Sequence, residues 1–320
     1  MIRTPIIHSF VNKRTHMSTQ EREHKPHIVI TIGMAGSGKT TFMQRVNSFV
    51  HEKNVRAWMV NLDPAATHVP YGCNIDIRDT IDYKETMKNM KLGPNGAILT
   101  CLNLFTTRFD QVLDIIAQHE HELDYVFIDT PGQIECFTWS ASGKIITDAL
   151  AATYPTSVVY MIDAERASNP RTFVTSMLYG CSLLYRFNVP LTLCFNKSDV
   201  VDPSYCESWL ADYYNIQLAL ENDPSFMASF STSLALVLEE FWQGLTPLYF
   251  SALTGRGCED LFERLSEAEN KYYDEILPRL NAKIAEKHEK MLEEKKDDIE
   301  QLRQDLEEDL HLGEDLKDEE

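Results

Sequence analysis

Eight consecutive residues, Gly33-Met34-Ala35-Gly36-Ser37-Gly38-Lys39-Thr40, fit the spacing G-x-x-x-x-G-K-[ST]. Glycines at these positions let the backbone curl until its N–H groups point inward around phosphate oxygens. The helix that follows would present its N-terminus to the same anion. Lys39 then reaches the β and γ phosphates, and the Thr40 hydroxyl is placed to ligate Mg²⁺. Gly33, Gly36, Ser37, Gly38, Lys39, Thr40 and Thr41 are therefore read as a phosphate-binding set.

A second group, Asp129-Thr130-Pro131-Gly132-Gln133, follows an apolar run at Tyr125–Ile128. A carboxylate at a strand end can hold Mg²⁺, directly or through water, so Asp129 joins Thr40 as a metal ligand. The Gly132 N–H can sense a γ-phosphate. Gln133 is placed to orient an attacking water.

Asn196-Lys197-Ser198-Asp199 follows the run Pro190–Phe195. The Asp199 carboxylate can accept hydrogen bonds from N1–H and the 2-amino group of guanine. Adenine offers neither donor and would leave the carboxylate unpaired. The Lys197 stem can cover the ring face. A small-residue turn, Ser251-Ala252-Leu253-Thr254-Gly255-Arg256-Gly257, would bring the Ala252 N–H to the guanine oxygen. Four motifs in this order imply binding and hydrolysis of GTP.

These groups need elements to hold them. Strand-like runs lie at His27–Ile32, Val55–Leu62, Tyr125–Asp129, Ser157–Asp163, Pro190–Asn196 and Leu248–Ala252. Helical spacing marks Thr40–Val50, Arg108–His119, Asn169–Phe187, Ser204–Leu220, Phe226–Trp242 and Cys258–Tyr273. Strands alternating with helix-length segments imply βαβ units. The expected fold is an α/β P-loop NTPase with a mainly parallel sheet flanked by helices. In the Phe226–Trp242 helix, Leu234, Leu236, Val237, Leu238, Phe241 and Trp242 suit a buried core helix better than a client pocket.

Charge divides the 320 residues into three zones. Residues 1–26 carry net +3, residues 27–280 net −13 and residues 281–320 net −9. We read 1–26 as a disordered leader, although Arg3, Lys13 and Arg14 precede any acid, as in a transit peptide. Met17 offers a second possible start. Residues 27–280 form one domain. Residues 281–320 form an acidic helical or disordered tail, with Ile299, Leu302, Leu306 and Leu310 at helical spacing. The acidic balance opposes direct nucleic-acid binding. No uncharged run of 18 apolar residues occurs, which opposes a membrane span. Seven widely spaced cysteines without a CxxC suit a reduced compartment rather than zinc or disulfides.

Gly93-Pro94-Asn95 lies between the second strand and the Asp129 loop and by itself reads as a turn. In this setting it resembles the signature loop of the GPN-loop GTPases. The resemblance runs from about Pro26 to Arg279. It includes Asn61-Leu62-Asp63-Pro64-Ala65, Asn74-Ile75-Asp76-Ile77-Arg78-Asp79, Leu92–Leu99, Asp129–Glu135 and Phe137–Gly143. The Asn-Ile-Asp-Ile-Arg-Asp run, the Phe-Thr-Trp-Ser segment, Asn196-Lys197 and the acidic tail look most like the first of three eukaryotic paralogues. The resemblance implies a GPN-loop insertion and a dimer in which Asn95 reaches the γ-phosphate, or released phosphate, of the partner's site. It further implies pairing with paralogue three, a role in RNA polymerase II assembly and nuclear import, polymerase subunits as partners, and shuttling between cytoplasm and nucleus. Several relatives of the wider branch carry a second lysine where this chain has Met34, which leaves Asn95 as the trans group. For the water, Gln133 ranks first, Asp63 second and Asp76 third, with Asp76 and Asp79 in an expected switch loop. Arg78 is not an obvious finger. The implied cofactors are GTP/GDP and Mg²⁺. A nucleotide-stabilised scaffold with incidental turnover is the alternative. A kinase is disfavoured by the Asn196–Asp199 motif.

Overall fold

A computed structural model describes residues 24–221, 223–242 and 245–286. Residues 1–23 and the tail stripe at Ile299–Leu310 lie outside the described residues. The chain divides into two units, one ending at Tyr273 and one beginning at Asp274. In the second, residues 277–286 are helical.

Strand β1 (His27–Gly33) runs into the glycine loop, and α1 (Lys39–Glu52) leaves it. Then come β2 (Ala57–Asn61), β3 (Ile75–Asp76), α2 (Ile77–Thr80), α3 (Tyr83–Asn89), α4 (Pro94–Thr106) and α5 (Phe109–Gln118). Strand β4 (Tyr125–Asp129) precedes α6 (Ile134–Thr138) and α7 (Ala141–Thr153). Strand β5 (Thr156–Asp163) is followed by α8 (Ala164–Ala167) and α9 (Pro170–Phe187). Strand β6 (Leu191–Asn196) is followed by α10 (Ser204–Ala211), α11 (Tyr213–Leu220) and α12 (Phe226–Trp242), and β7 (Leu248–Tyr249) by α13 (Cys258–Lys271).

The seven strands form one sheet in the order β3-β2-β4-β1-β5-β6-β7, every pair parallel. Every residue of β1 and β5 is buried, as a strand covered on both faces requires. On one face Val29, Phe127, Val159 and Met161 pack against Phe42, Met43 and Val46 of α1 and Leu261 and Leu265 of α13. Burying each such side chain contributes about 1.5–3 kcal/mol. On the other face α9 comes close through Gly180. A Cβ there would lie 3.3 Å from Leu193 Cδ2 and 3.5 Å from Tyr160 Cδ1.

Sheet order sets the position of the site. Strand β1 lies between β4 and β5, so the chain crosses from one side of it to the other. A crevice opens at such a switch point, beyond the carboxyl ends of the strands. Register brings Thr31 beside Asp129, Asn61 beside Asp129, Gly33 beside Met161 and Asp163 beside Asn196.

Several expectations change. Gly93-Pro94-Asn95 is not a free turn but the start of α4, with Gly93 as N-cap and Pro94 at the first helical position. Proline has no N–H to lose there, and its fixed φ suits the helix. The Ser204–Leu220 helix is two helices, because Asp212 is extended (φ −156°, ψ 125°) and its carboxylate caps the Tyr214 N–H. In α12, Ala235, Leu238 and Trp242 are buried, but Leu236 and Val237 are exposed. The seven cysteines are free thiols. Among the described residues no helix is long and apolar enough to cross a membrane.

Candidate nucleotide site

The glycine loop has the expected curled backbone, with Gly36 at φ +82° and Gly38 at φ +92°. Gly38 is also sterically required. A Cβ there would come within 2.4 Å of Asn196 Nδ2. Lys39 Nζ folds back and donates to the carbonyls of Gly33 (2.5 Å) and Met34 (3.2 Å). Burial lowers its pKa, while Asp129 and Asp63 pull the other way. A buried ammonium spending its donors on loop carbonyls is positioned for a phosphate oxygen. The Ser37 hydroxyl is buried with no hydrogen-bond partner, and Thr40 and Thr41 are exposed on the first turn of α1.

Asp129 ends β4 directly beneath this loop. Its Oδ2 accepts from the Thr40 hydroxyl at 3.3 Å and from the Tyr71 hydroxyl at 3.1 Å. Its Oδ1 is buried and unpartnered. Burial pushes its carboxyl up to about 6. An orphaned carboxylate oxygen beside a threonine hydroxyl fits a hard divalent cation. Among the described residues no cluster of three or more His, Cys, Asp or Glu could hold a metal alone. Phosphate oxygens and water would have to complete such a shell. The hydroxyl of Thr130 ties the loop to the Thr31 carbonyl at 2.7 Å.

Asp63 projects into the same corner. Its Oδ1 accepts the Ala65 N–H at 2.9 Å and its Oδ2 the Gly132 N–H at 3.3 Å. The N–H expected to meet a γ-phosphate thus holds a carboxylate instead. Burial raises the Asp63 pKa against the pull of these two N–H groups. Gln133 is exposed at the start of α6, with its side chain off the helix cap.

Asp76 is not in a loop. It ends β3 and caps α2. Its oxygens take Arg78 Nη2 at 2.6 Å, Arg78 Nε at 2.9 Å and Asn61 Nδ2 at 3.0 Å. Burial alone would raise its pKa, but these hydrogen bonds prevail and hold it low. Both oxygens are committed, so Asp76 is a brace and not a group free for water. Arg78 is tied down as well, since it also donates to the Ala66 carbonyl at 3.0 Å. Asn95 is exposed on the first turn of α4. Its carbonyl takes the thiol of Cys136, three residues beyond Gln133, at 3.8 Å.

Asn196 joins phosphate and base ends. Its Nδ2 donates to the Ser37 carbonyl at 2.8 Å, and its Oδ1 accepts the Ala252 N–H at 3.0 Å. That second bond corrects the expectation for Ala252, whose N–H is turned to Asn196 rather than to the base. Asp199 is exposed and accepts from the buried Ser251 hydroxyl at 2.6 Å. Lys197, at φ +69°, pairs with Asp163 at 2.7 Å, which fixes the stem expected to cover the ring. Sequence reasoning gave no role to Tyr71, Asn61 or Asp163, although Asn61 opens one of the runs that carry the resemblance and Asp163 is an acid at a strand end.

Known proteins match this arrangement. A family model described as a conserved hypothetical ATP-binding protein matches residues 31–271. GPN-loop GTPase 1 of Dictyostelium discoideum is 45% identical over 284 residues, covering 89% of this chain and 72% of that protein. GPN-loop GTPase 1 of Saccharomyces cerevisiae is 44% identical over 281 residues, covering 83% and 72%. Among solved structures, a GTPase in apo form from Pyrococcus abyssi superposes with a TM-score of 0.66 at 30% identity, covering 76% of this chain and 97% of that one. With the glycine loop, the Asp129 loop and the Asn196–Asp199 motif at one edge of the sheet, and a helix that opens on Gly93-Pro94-Asn95, the chain belongs to the GPN-loop GTPases, and its likeness is to paralogue one.

Proposed function

We propose that the chain is a GTP-hydrolysing switch that works as a dimer and acts on a protein client. GTP hydrolysis itself comes with the family. The observation that carries the reading is the convergence of Lys39, Asp129 and Asn196 at the carboxyl edge of one parallel sheet. The family model's description names ATP. Asp199 favours guanine, because adenine has no donor pair to offer it.

Lys39 would leave the Gly33 and Met34 carbonyls for the β and γ phosphates. Thr40 and Asp129 would hold Mg²⁺, which neutralises phosphate charge when bound. Gly132 would exchange the Asp63 carboxylate for the γ-phosphate. Asp63, released, and Gln133 would then hold the attacking water, with Asp63 a weak base whose role is positioning. Exchange at Gly132 links the nucleotide state to the Asp63 loop, the kind of order change by which nucleotide switches work.

Asn95 stands exposed at a helix start, where a second subunit's nucleotide can approach it. Lys39→Ala is expected to abolish GTP binding. Asn95→Ala is expected to slow turnover while GTP affinity in the isolated monomer stays within twofold. A tenfold loss of that affinity would remove the trans role. Pairing with paralogue three, polymerase subunits as clients and passage between cytoplasm and nucleus are proposed on the family resemblance.

One observation favours the scaffold reading. Phe226, Met227, Phe230 and Val237 expose apolar surface on α12. Complementation by Gln133→Ala separates the two, since full rescue would make turnover incidental.

A further inference from the structure

The base-reading turn is held from a second side by a residue that none of the motifs contains. Arg45 lies on α1, six residues beyond Lys39, or about 9 Å along the helix. Its Nε donates to the Ala252 carbonyl at 3.1 Å, and its Nη2 donates to the Leu253 carbonyl. Asn196 already holds the Ala252 N–H. Residue 252 is therefore gripped at both ends, by β6 through its N–H and by α1 through its carbonyl.

Gly255 gives the turn the left-handed backbone that lies against Arg45. It sits at φ +85°, and a Cβ there would meet Arg45 Cδ at an ordinary contact distance of 3.4 Å, so the backbone conformation and not space calls for glycine. The guanidinium makes no ion pair among the described residues. Its charge is directed to two adjacent carbonyls through two separate nitrogens, Nε and Nη2, held in one plane, a fixed fork that the single nitrogen of an ammonium does not reproduce. The same turn sets the Ser251 hydroxyl that orients the Asp199 carboxylate at 2.6 Å.

The geometry points to Arg45 as a positioning residue for guanine selectivity. It fixes the turn that aims Asp199, and it ties that turn to the helix whose first residues hold phosphate. This inference rests on the GTP reading above. Loss of Arg45 should weaken recognition of the base more than recognition of the triphosphate.

The test compares GTP with ITP, which lacks the 2-amino group that Asp199 would accept from. Affinities are measured by calorimetry for the parent, Arg45→Ala and Arg45→Lys, with Mg²⁺ present. Two charge-assisted bonds predict about a tenfold loss of GTP affinity in Arg45→Ala. The loss for ITP should be smaller, so the GTP:ITP ratio falls at least threefold. Arg45→Lys keeps stem and charge but not the fork, and should fall between. It serves as the working variant if Arg45→Ala fails to fold. A ratio unchanged in either variant, or equal losses for both nucleotides, overturns the inference and leaves Arg45 a stabilising contact. A parent that does not prefer GTP would instead sink the guanine reading itself, so the two failures are distinguishable.

Discussion

Replacing Asp129 by Asn should make the nucleotide-free protein more stable while destroying its Mg²⁺-dependent nucleotide binding. Asp129 is 3% exposed, and one carboxylate oxygen has no partner. Burial moves its pKa from an ordinary 3.8 to about 6. At pH 7 the folded state must keep a costly charge that the unfolded chain carries freely. A displacement of that size corresponds to about 3 kcal/mol at 1.36 kcal/mol for each tenfold step. The sign follows from the direction. With the folded pKa raised, the penalty is absent below about pH 4, grows toward pH 6 and is complete above it. The Asn side chain keeps an acceptor for Thr40 and Tyr71 but must place an amide, so a net gain of about 1–2 kcal/mol is expected. Urea unfolding without nucleotide, run from pH 4 to 7.5, measures it. The variant should be the more stable at pH 7.5, and the gap should close toward pH 4. With Mg²⁺ and GTP the order should reverse. A variant no more stable than the parent at pH 7.5, or one that gains equally at every pH, would refute the burial argument.

Asn196→Ala removes two buried hydrogen bonds and strands the Ser37 carbonyl and the Ala252 N–H. It should cost about 2–4 kcal/mol in urea unfolding, and a cost under about 0.5 kcal/mol would show that the brace is absent in solution. Asp63→Asn keeps an acceptor for the Ala65 N–H but removes the charge, so turnover should fall about ten- to a hundredfold with GTP affinity nearly unchanged. Steady-state hydrolysis beside equilibrium binding reads both, and an unchanged turnover number would exclude Asp63 from the reaction.

The parts of the site built by short-range chemistry could be read from the chain. The glycine loop, the Asp129 loop and the Asn196–Asp199 turn each follow a buried strand whose apolar run ends on a glycine, an acid or an amide. Helices with their own stop signals were legible too. Pro170 opens α9 and Asn188, at φ +54°, closes it. What escaped depends on partners far away in sequence. Residues 63–106 and 134–153 hold helices of four to thirteen residues whose apolar faces mean little until α5, α7 and the sheet are assembled. Tyr71 meets Asp129 across 58 residues, and Arg45 meets Ala252 across 207. Asp76 offered itself as a free carboxylate because neither the fold-back of Arg78, two residues on, nor the approach of Asn61, fifteen residues earlier, shows in the chain. Ala252 was assigned to the base because the turn was legible and the competing Asn196 side chain was not.

In the proposed dimer each nucleotide is completed by Asn95 of a second subunit, and mixing two disabled proteins tests this most directly. Asn95→Ala subunits keep their own GTP site, and Lys39→Ala subunits keep Asn95. Each alone should turn GTP over slowly or not at all. In the dimer this chain would form with a second copy of itself, without paralogue three, random exchange makes half the dimers mixed, each with one complete site, so about a quarter of the parent rate should return. A mixture no faster than its components, although subunit exchange is demonstrated, would contradict the account.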